Sequence, residues 1–131
     1  MVGIVIVSHS WKIAEGIKDL AAQVAASSAQ IIAAGGMEDG GIGTDAVKIS
    51  EAIKAADSGD GVVVLADLGS GIMSAEQAME LLEDEEIDVR LADAPIVEGA
   101  IAASVEAACG GSIDDVTRAA EETWSVRKTN E

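Results

Sequence analysis

Apolar positions along the chain fall into two kinds of run that alternate. Val2, Ile4, Val5, Ile6 and Val7 form an almost unbroken β-branched stretch, the pattern of a strand covered on both faces. After it, Ile13, Ile17, Leu20, Ala21 and Val24 recur at helical spacing, which predicts a helix from Ser10 or Trp11 to Ala26, ended by Ser27 and Ser28. The same alternation repeats three times. Residues 30–34 (QIIAA) read as a second strand. A helix capped by Thr44 follows, with Asp45 in its first turn and Val47, Ile49, Ala52, Ile53 and Ala56 inward. Residues 62–66 (VVVLA) are a third strand, and the helix after it turns Met73, Ala78, Leu81 and Leu82 inward. Residues 87–91 form a shorter and more polar fourth strand suited to a sheet edge. Asp93 and Pro95 open a fourth helix as a cap and an early proline, with Val97, Ile101 and Val105 on its buried side and Gly110-Gly111 as its stop. Ser112 and Asp115 resemble a capping box for a last helix to about Trp124.

Four β-α units in 131 residues predict one α/β domain over residues 1–124, with a polar, frayed tail over 125–131. Right-handed crossovers wind such a sheet outward from its first strand. The expected fold is an open, doubly wound parallel sheet of about four strands, order 2-1-3-4, with helices on both faces. Its switch point then falls between strands one and three, where folds of this kind place their ligands.

Composition narrows the function. The formal net charge is −16, from 24 acidic residues against 8 Lys and Arg, and so acidic a surface repels nucleic-acid backbones. There is no Phe or Tyr, so little aromatic surface exists for stacking bases. The acids are spread over the chain, a balance suited to high salt, where charge repulsion is screened. Cys109 is the only cysteine; it can form no intramolecular disulfide and reads as a small core residue. No apolar stretch is long enough to span a membrane, and the N-terminal run leads straight into the fold without a basic segment. A cytoplasmic location is expected.

The chemistry concentrates at the two central strand ends. His9, the only histidine, lies in Ser8-His9-Ser10 at the end of strand one, beside a helix N-terminus whose free N–H groups favour an anion. Imidazole is a nucleophile at neutral pH. Asp67 ends strand three, where its carboxylate can hold one ring proton and fix the tautomer. Ser10, Ser70 and the backbone of Gly69 are candidate ligands for phosphoryl oxygens. Residues 35–44 (GGMEDGGIGT) hold five glycines and form a flexible wall on the same rim. Trp11, Gly36, Asp39, Gly40 and Met73 are candidate partner-docking positions around His9.

Other chemistries lack their parts. There is no Gly-Lys-Ser/Thr after a glycine loop, no G-x-G-x-x-G joining strand to helix and no G-x-S-x-G elbow. One histidine and one distant cysteine are no metal ligand set. What remains is a carrier that takes a phosphoryl group from one protein and hands it to another.

VGIVIVSHS…AEGI, GGMEDGGIGTDAVKI, VVLADLGSGIMSAEQAMELL and APIVEGA together resemble the phosphoryl-carrier subunits of phosphotransferase-system-dependent dihydroxyacetone kinase. That family is similar to the enzyme IIA domain of mannose-type sugar transporters. The likeness extends to about Gly111. Gly71 and Ser74 stand where that family often has Ala and Asn, and His9 and Asp67 remain in place. The resemblance implies a phosphotransferase subunit with no cofactor of its own. It implies that His9 accepts phosphate from the phosphocarrier HPr and passes it to ADP held in a DhaL subunit, which phosphorylates dihydroxyacetone bound to DhaK. It implies a homodimer; some relatives carry fused HPr-like and enzyme-I-like domains, and for this chain those functions are expected on separate proteins. The alternative is an enzyme IIA component of a mannose-type sugar transporter.

Overall fold

The computed structural model describes residues 1–25 and 29–129. Ala26, Ser27 and Ser28, where the end of the first helix was expected, lie outside the described residues. The strands are β1 (Gly3–Ser8), β2 (Gln30–Gly35), β3 (Val62–Ala66) and β4 (Val89–Leu91). The helices are α1 (Trp11–Val24), α2 (Ala46–Ala56), α3 (Gly69–Leu81), α4 (Ile96–Ala108) and α5 (Ile113–Glu122), followed by a 3₁₀ turn over Thr123–Ser125.

The sheet is parallel throughout, in the order β2-β1-β3-β4. Both central strands are fully buried, as their unbroken apolar runs demand. One core lies under α1, α4 and α5 and takes Ile4, Ile6, Val63 and Leu65 from the sheet. The other lies under α2 and α3 and takes Val5, Val7, Val62 and Val64. Alternate residues of one strand thus feed two cores, the consequence of side chains pointing to opposite faces.

The helix faces correct the sequence reading in several places. Ile13, Leu20 and Val24 of α1 are about half exposed; Ala14, Ile17 and Ala21 face the sheet. Met73 and Leu81 of α3 are exposed, and Gly71, Ala75 and Ala78 are buried. On α4 the small residues Gly99, Ala100, Ala103, Ser104 and Ala107 face inward, and Val97 and Val105 are partly exposed. Close packing explains the reversal. A Cβ at Gly99 would come within 2.7 Å of Leu65 Cδ2, so α4 approaches β3 too tightly for a branched side chain. Val47 is also exposed, and Cys109 lies on the surface rather than in the core.

Two expected caps differ as well. Asp45, not Thr44, caps α2, its side chain accepting from the N–H groups of Val47 and Lys48. Pro95 occupies the cap position of α4. Asp93 instead accepts the Trp124 indole N–H through its carbonyl, at 2.8 Å. The capping box of Ser112 and Asp115 forms as expected. The tail is less free than expected: Lys128 pairs with Glu98, and Arg127 also has a partner.

Candidate functional site

β1 and β3 are neighbours, so their carboxyl ends bring His9 and Asp67 together across 58 residues of sequence. His9 Nδ1 lies 2.9 Å from Asp67 Oδ1. Asp67 Oδ2 accepts the backbone N–H of His9 at 3.0 Å and the hydroxyl of Ser8 at 2.8 Å. Oδ1 also accepts the N–H of Leu68 at 2.8 Å. Each carboxylate oxygen therefore faces two donors, which fills its accepting capacity. Burial of the carboxyl pushes its pKa upward, but the N–H of His9, the Ser8 hydroxyl, the N–H of Leu68 and the His9 ring outweigh that and hold it below the ordinary aspartate value.

An ionised carboxylate only accepts. Nδ1 must therefore carry the ring proton, and Nε2 keeps its lone pair. Ser70 Oγ sits against Nε2 in a close hydrogen bond, with the serine hydroxyl as donor. The ring is fixed from both sides, with the Nε2 lone pair on the Ser70 side. Gly71 makes room for this arrangement: a Cβ there would lie 2.7 Å from Asp67 Oδ1 and 3.7 Å from His9 Cε1.

The two serines around His9 that the sequence offered as phosphoryl ligands have different surroundings. Ser70 reaches the ring. Ser10 caps α1, its hydroxyl accepting the N–H of Ile13 at 3.4 Å. Gly69 is the first residue of α3, whose cap position is Leu68 with no side-chain cap bond; the Gly71 N–H donates to the Leu68 carbonyl at 2.7 Å, and the N–H groups of Gly69 and Ser70 are the ones placed to meet an anion.

The glycine-rich loop is tied down, not a free wall. Gly43 N–H donates to the His9 carbonyl at 2.8 Å, and Gly36 N–H to the Ser8 carbonyl at 3.1 Å. Asp39, itself exposed, accepts Gly41 N–H at 2.8 Å within the loop, and Gly40 closes the bend with φ of 87°. Thr44 hydrogen-bonds Ser74 Oγ at 2.6 Å and approaches the Ser70 carbonyl, linking the loop to α3. Trp11 and Met73 are exposed, at 48% and 63%.

The sequence reading missed Ser8. It is fully buried, and its hydroxyl both donates to Asp67 and accepts the N–H of Ser10 at 3.2 Å. A polar residue closing an apolar strand run directly before the histidine was the available signal.

The sheet thus carries a carboxylate-held histidine at its switch point. The family model for EIIA-man, described as PTS system fructose IIA component, matches residues 3–117. The phosphoryl donor subunit DhaM of the PEP-dependent dihydroxyacetone kinase of Escherichia coli K12 is 50% identical over 120 residues, which are 88% of this chain and 25% of that protein. The DhaM of kinase 2 of Listeria innocua is 40% identical over 107 residues, 81% of this chain and 86% of that one. The crystal structure of the unknown-function protein EF1359 superposes with a TM-score of 0.82 at 37% identity, covering 92% of this chain and 93% of its own. The chain belongs to the EIIA-man family and, within it, to the DhaM phosphoryl donor subunits. It spans about a quarter of the length of the Escherichia coli relative and most of the Listeria one.

Proposed function

We propose that this chain is the phosphoryl-carrier subunit of a dihydroxyacetone kinase and works through a phosphohistidine at His9. The observation that supports the reading is the 2.9 Å contact between His9 Nδ1 and Asp67 Oδ1: an ionised carboxylate accepts the Nδ1 proton, which leaves Nε2 as the attacking atom. The Nε2 lone pair forms a bond to the phosphorus of the phosphorylated donor, HPr, and the bond from phosphorus to the donor atom breaks. The Nδ1 proton stays on the ring, where the carboxylate offsets the positive charge that develops. Ser70 and the first-turn N–H groups of α3, at Gly69 and Ser70, hold the phosphoryl oxygens. In the second step an oxygen of the β-phosphate of ADP, held by DhaL beside DhaK, attacks the same phosphorus, and the N–P bond breaks to return neutral His9. Both steps run in the cytoplasm, where the acceptor is chosen by the surface that docks over the exposed Trp11, Asp39, Gly40 and Met73; Gly36, the remaining candidate, is itself buried.

The active unit is a homodimer in this reading, and residues 1–124 form its single domain. α1 and α4 pack against each other, and both turn apolar side chains outward: Ile13, Leu20 and Val24 on the first, Val97 and Val105 on the second. Paired apolar stripes on neighbouring helices suit a second copy as cover. Leu20→Asp should move the protein from dimer to monomer in light scattering.

The test mixes phosphorylated protein with ADP-loaded DhaL. Loss of phosphate and appearance of bound ATP supports the kinase carrier, with free ADP reacting far more slowly. Rapid transfer to a mannose-type IIB protein, with none to DhaL, moves the assignment to the sugar transporter.

A further inference from the structure

Asp67 is placed by more than its own strand. Its carboxylate could rotate about the side-chain bonds and offer His9 a different oxygen or a different angle. Three donors other than the imidazole prevent that: the N–H groups of His9 and Leu68, and the hydroxyl of Ser8. The two N–H groups belong to backbone already set by β1 and the turn before α3. Ser8 is the only side chain among them.

Its hydroxyl is constrained in turn. Ser8 is fully buried at the last position of β1. Its oxygen accepts the N–H of Ser10 at 3.2 Å, so the oxygen is committed on one side to the turn that carries His9. Its proton has the Asp67 carboxylate, 2.8 Å away, as acceptor. One hydroxyl therefore links the backbone on one side of His9 to the carboxylate that holds the His9 ring.

From this geometry we infer that Ser8 is a positioning residue for phosphoryl transfer, acting on His9 through Asp67. It fixes which Asp67 oxygen meets Nδ1 and thereby keeps Nε2 as the nucleophile. Ser8 itself does not touch the phosphoryl group. The inference rests on the reading of His9 as the phosphoryl acceptor for its kinetic consequence, while its structural consequence, the ring tautomer, is independent of that reading.

The experiment compares the full chain with Ser8→Ala, Asp67→Asn and the double variant. Nitrogen-15 NMR of the His9 ring reports the tautomer, and the initial rate of phosphate uptake from phospho-HPr reports transfer. The wild-type ring should show one tautomer with the proton on Nδ1. Ser8→Ala should show mixed tautomers and transfer slowed roughly tenfold, the effect of losing one hydrogen bond to a charged group. In the Asp67→Asn background the same change should cost less than about twofold, because residues acting through one another are not additive. Ser8→Cys, a weaker donor of similar size, should fall between wild type and Ser8→Ala in both readouts. Circular dichroism melts show whether each variant is folded, and the Cys variant carries the test if Ser8→Ala is not. A wild-type tautomer and rate in the folded variants would overturn the inference. So would a full additional tenfold loss in the double variant, which would mean that Ser8 acts independently of Asp67. A wild-type protein that takes no phosphate would overturn the functional reading instead, and the NMR spectra would still decide the role of Ser8.

Discussion

The two strand-to-helix junctions at the centre of the sheet begin alike and end differently. β1 runs into α1 and β3 runs into α3, each through a short polar turn. At the first, Ser10 spends its hydroxyl on the N–H of Ile13 and caps the helix. At the second, Asp67 is a residue type favoured for capping, yet α3 has no side-chain cap. Its carboxylate is turned across the switch point to His9, Ser8 and the backbone. The α1 junction is thus completed for stability, and the α3 junction leaves its helix start open to an anion.

Mutations should separate the two junctions sharply. His9→Ala is expected to abolish phosphate uptake from phospho-HPr, measured as acid-labile label per chain. Asp67→Asn is expected to keep the fold and slow uptake on the order of a hundredfold or more, because the wrong ring nitrogen can then carry the proton. Ser10→Ala should show the opposite balance. It should lose about 1 kcal/mol of stability in urea unfolding, with transfer affected far less than in Asp67→Asn. Equal kinetic losses in both variants would erase the distinction between the junctions.

Acid titration sharpens the same contrast. The native pKa of Asp67 is depressed below its unfolded value. Its ionised form therefore stabilises the fold fully above the ordinary aspartate value, and that contribution is lost as pH falls through the native pKa. The stability advantage of wild type over Asp67→Asn should shrink as pH falls through that window. Urea unfolding at a series of pH values would show it, and a constant advantage would mean that the carboxylate charge is not what the site stabilises.

The smallest effect concerns the missing cap. Leu68 holds the cap position of α3 with extended backbone, φ of −100° and ψ of 171°, and is mostly exposed. Leu68→Ser should add about 0.5–1 kcal/mol of stability by capping α3. It should also slow phosphate uptake modestly, since its hydroxyl would occupy an N–H group otherwise available to the phosphoryl oxygens. Increased stability with unchanged uptake would show that the helix start takes no part in binding.

The sheet is legible because fully buried strands leave unbroken apolar runs, and the switch point follows from right-handed winding once the second and third strands lie on opposite sides of the first. His9 was legible as the only histidine at that point, and Asp67 as the acid ending the adjacent strand. The helix faces were less so. Val97, Ile101 and Val105 of α4 have helical spacing, but spacing does not say whether a stripe meets the sheet or another surface. Only the close approach at Gly99 decides that small residues go inward. Asp93 and Thr44 have residue types that favour caps, but Pro95 and Asp45 hold the cap positions of α4 and α2. Ser8 is not legible in sequence because a serine after an apolar run looks like the end of a strand; its partner lies 59 residues away.

If Asp67 holds the proton on Nδ1, phosphate is directed to Nε2. Phosphorylating uniformly nitrogen-15-labelled protein with phosphoenolpyruvate, enzyme I and HPr, and recording phosphorus–nitrogen couplings to the His9 ring, tests it directly. The phosphorus should couple to Nε2, with Nδ1 still protonated. Coupling to Nδ1 would contradict the account.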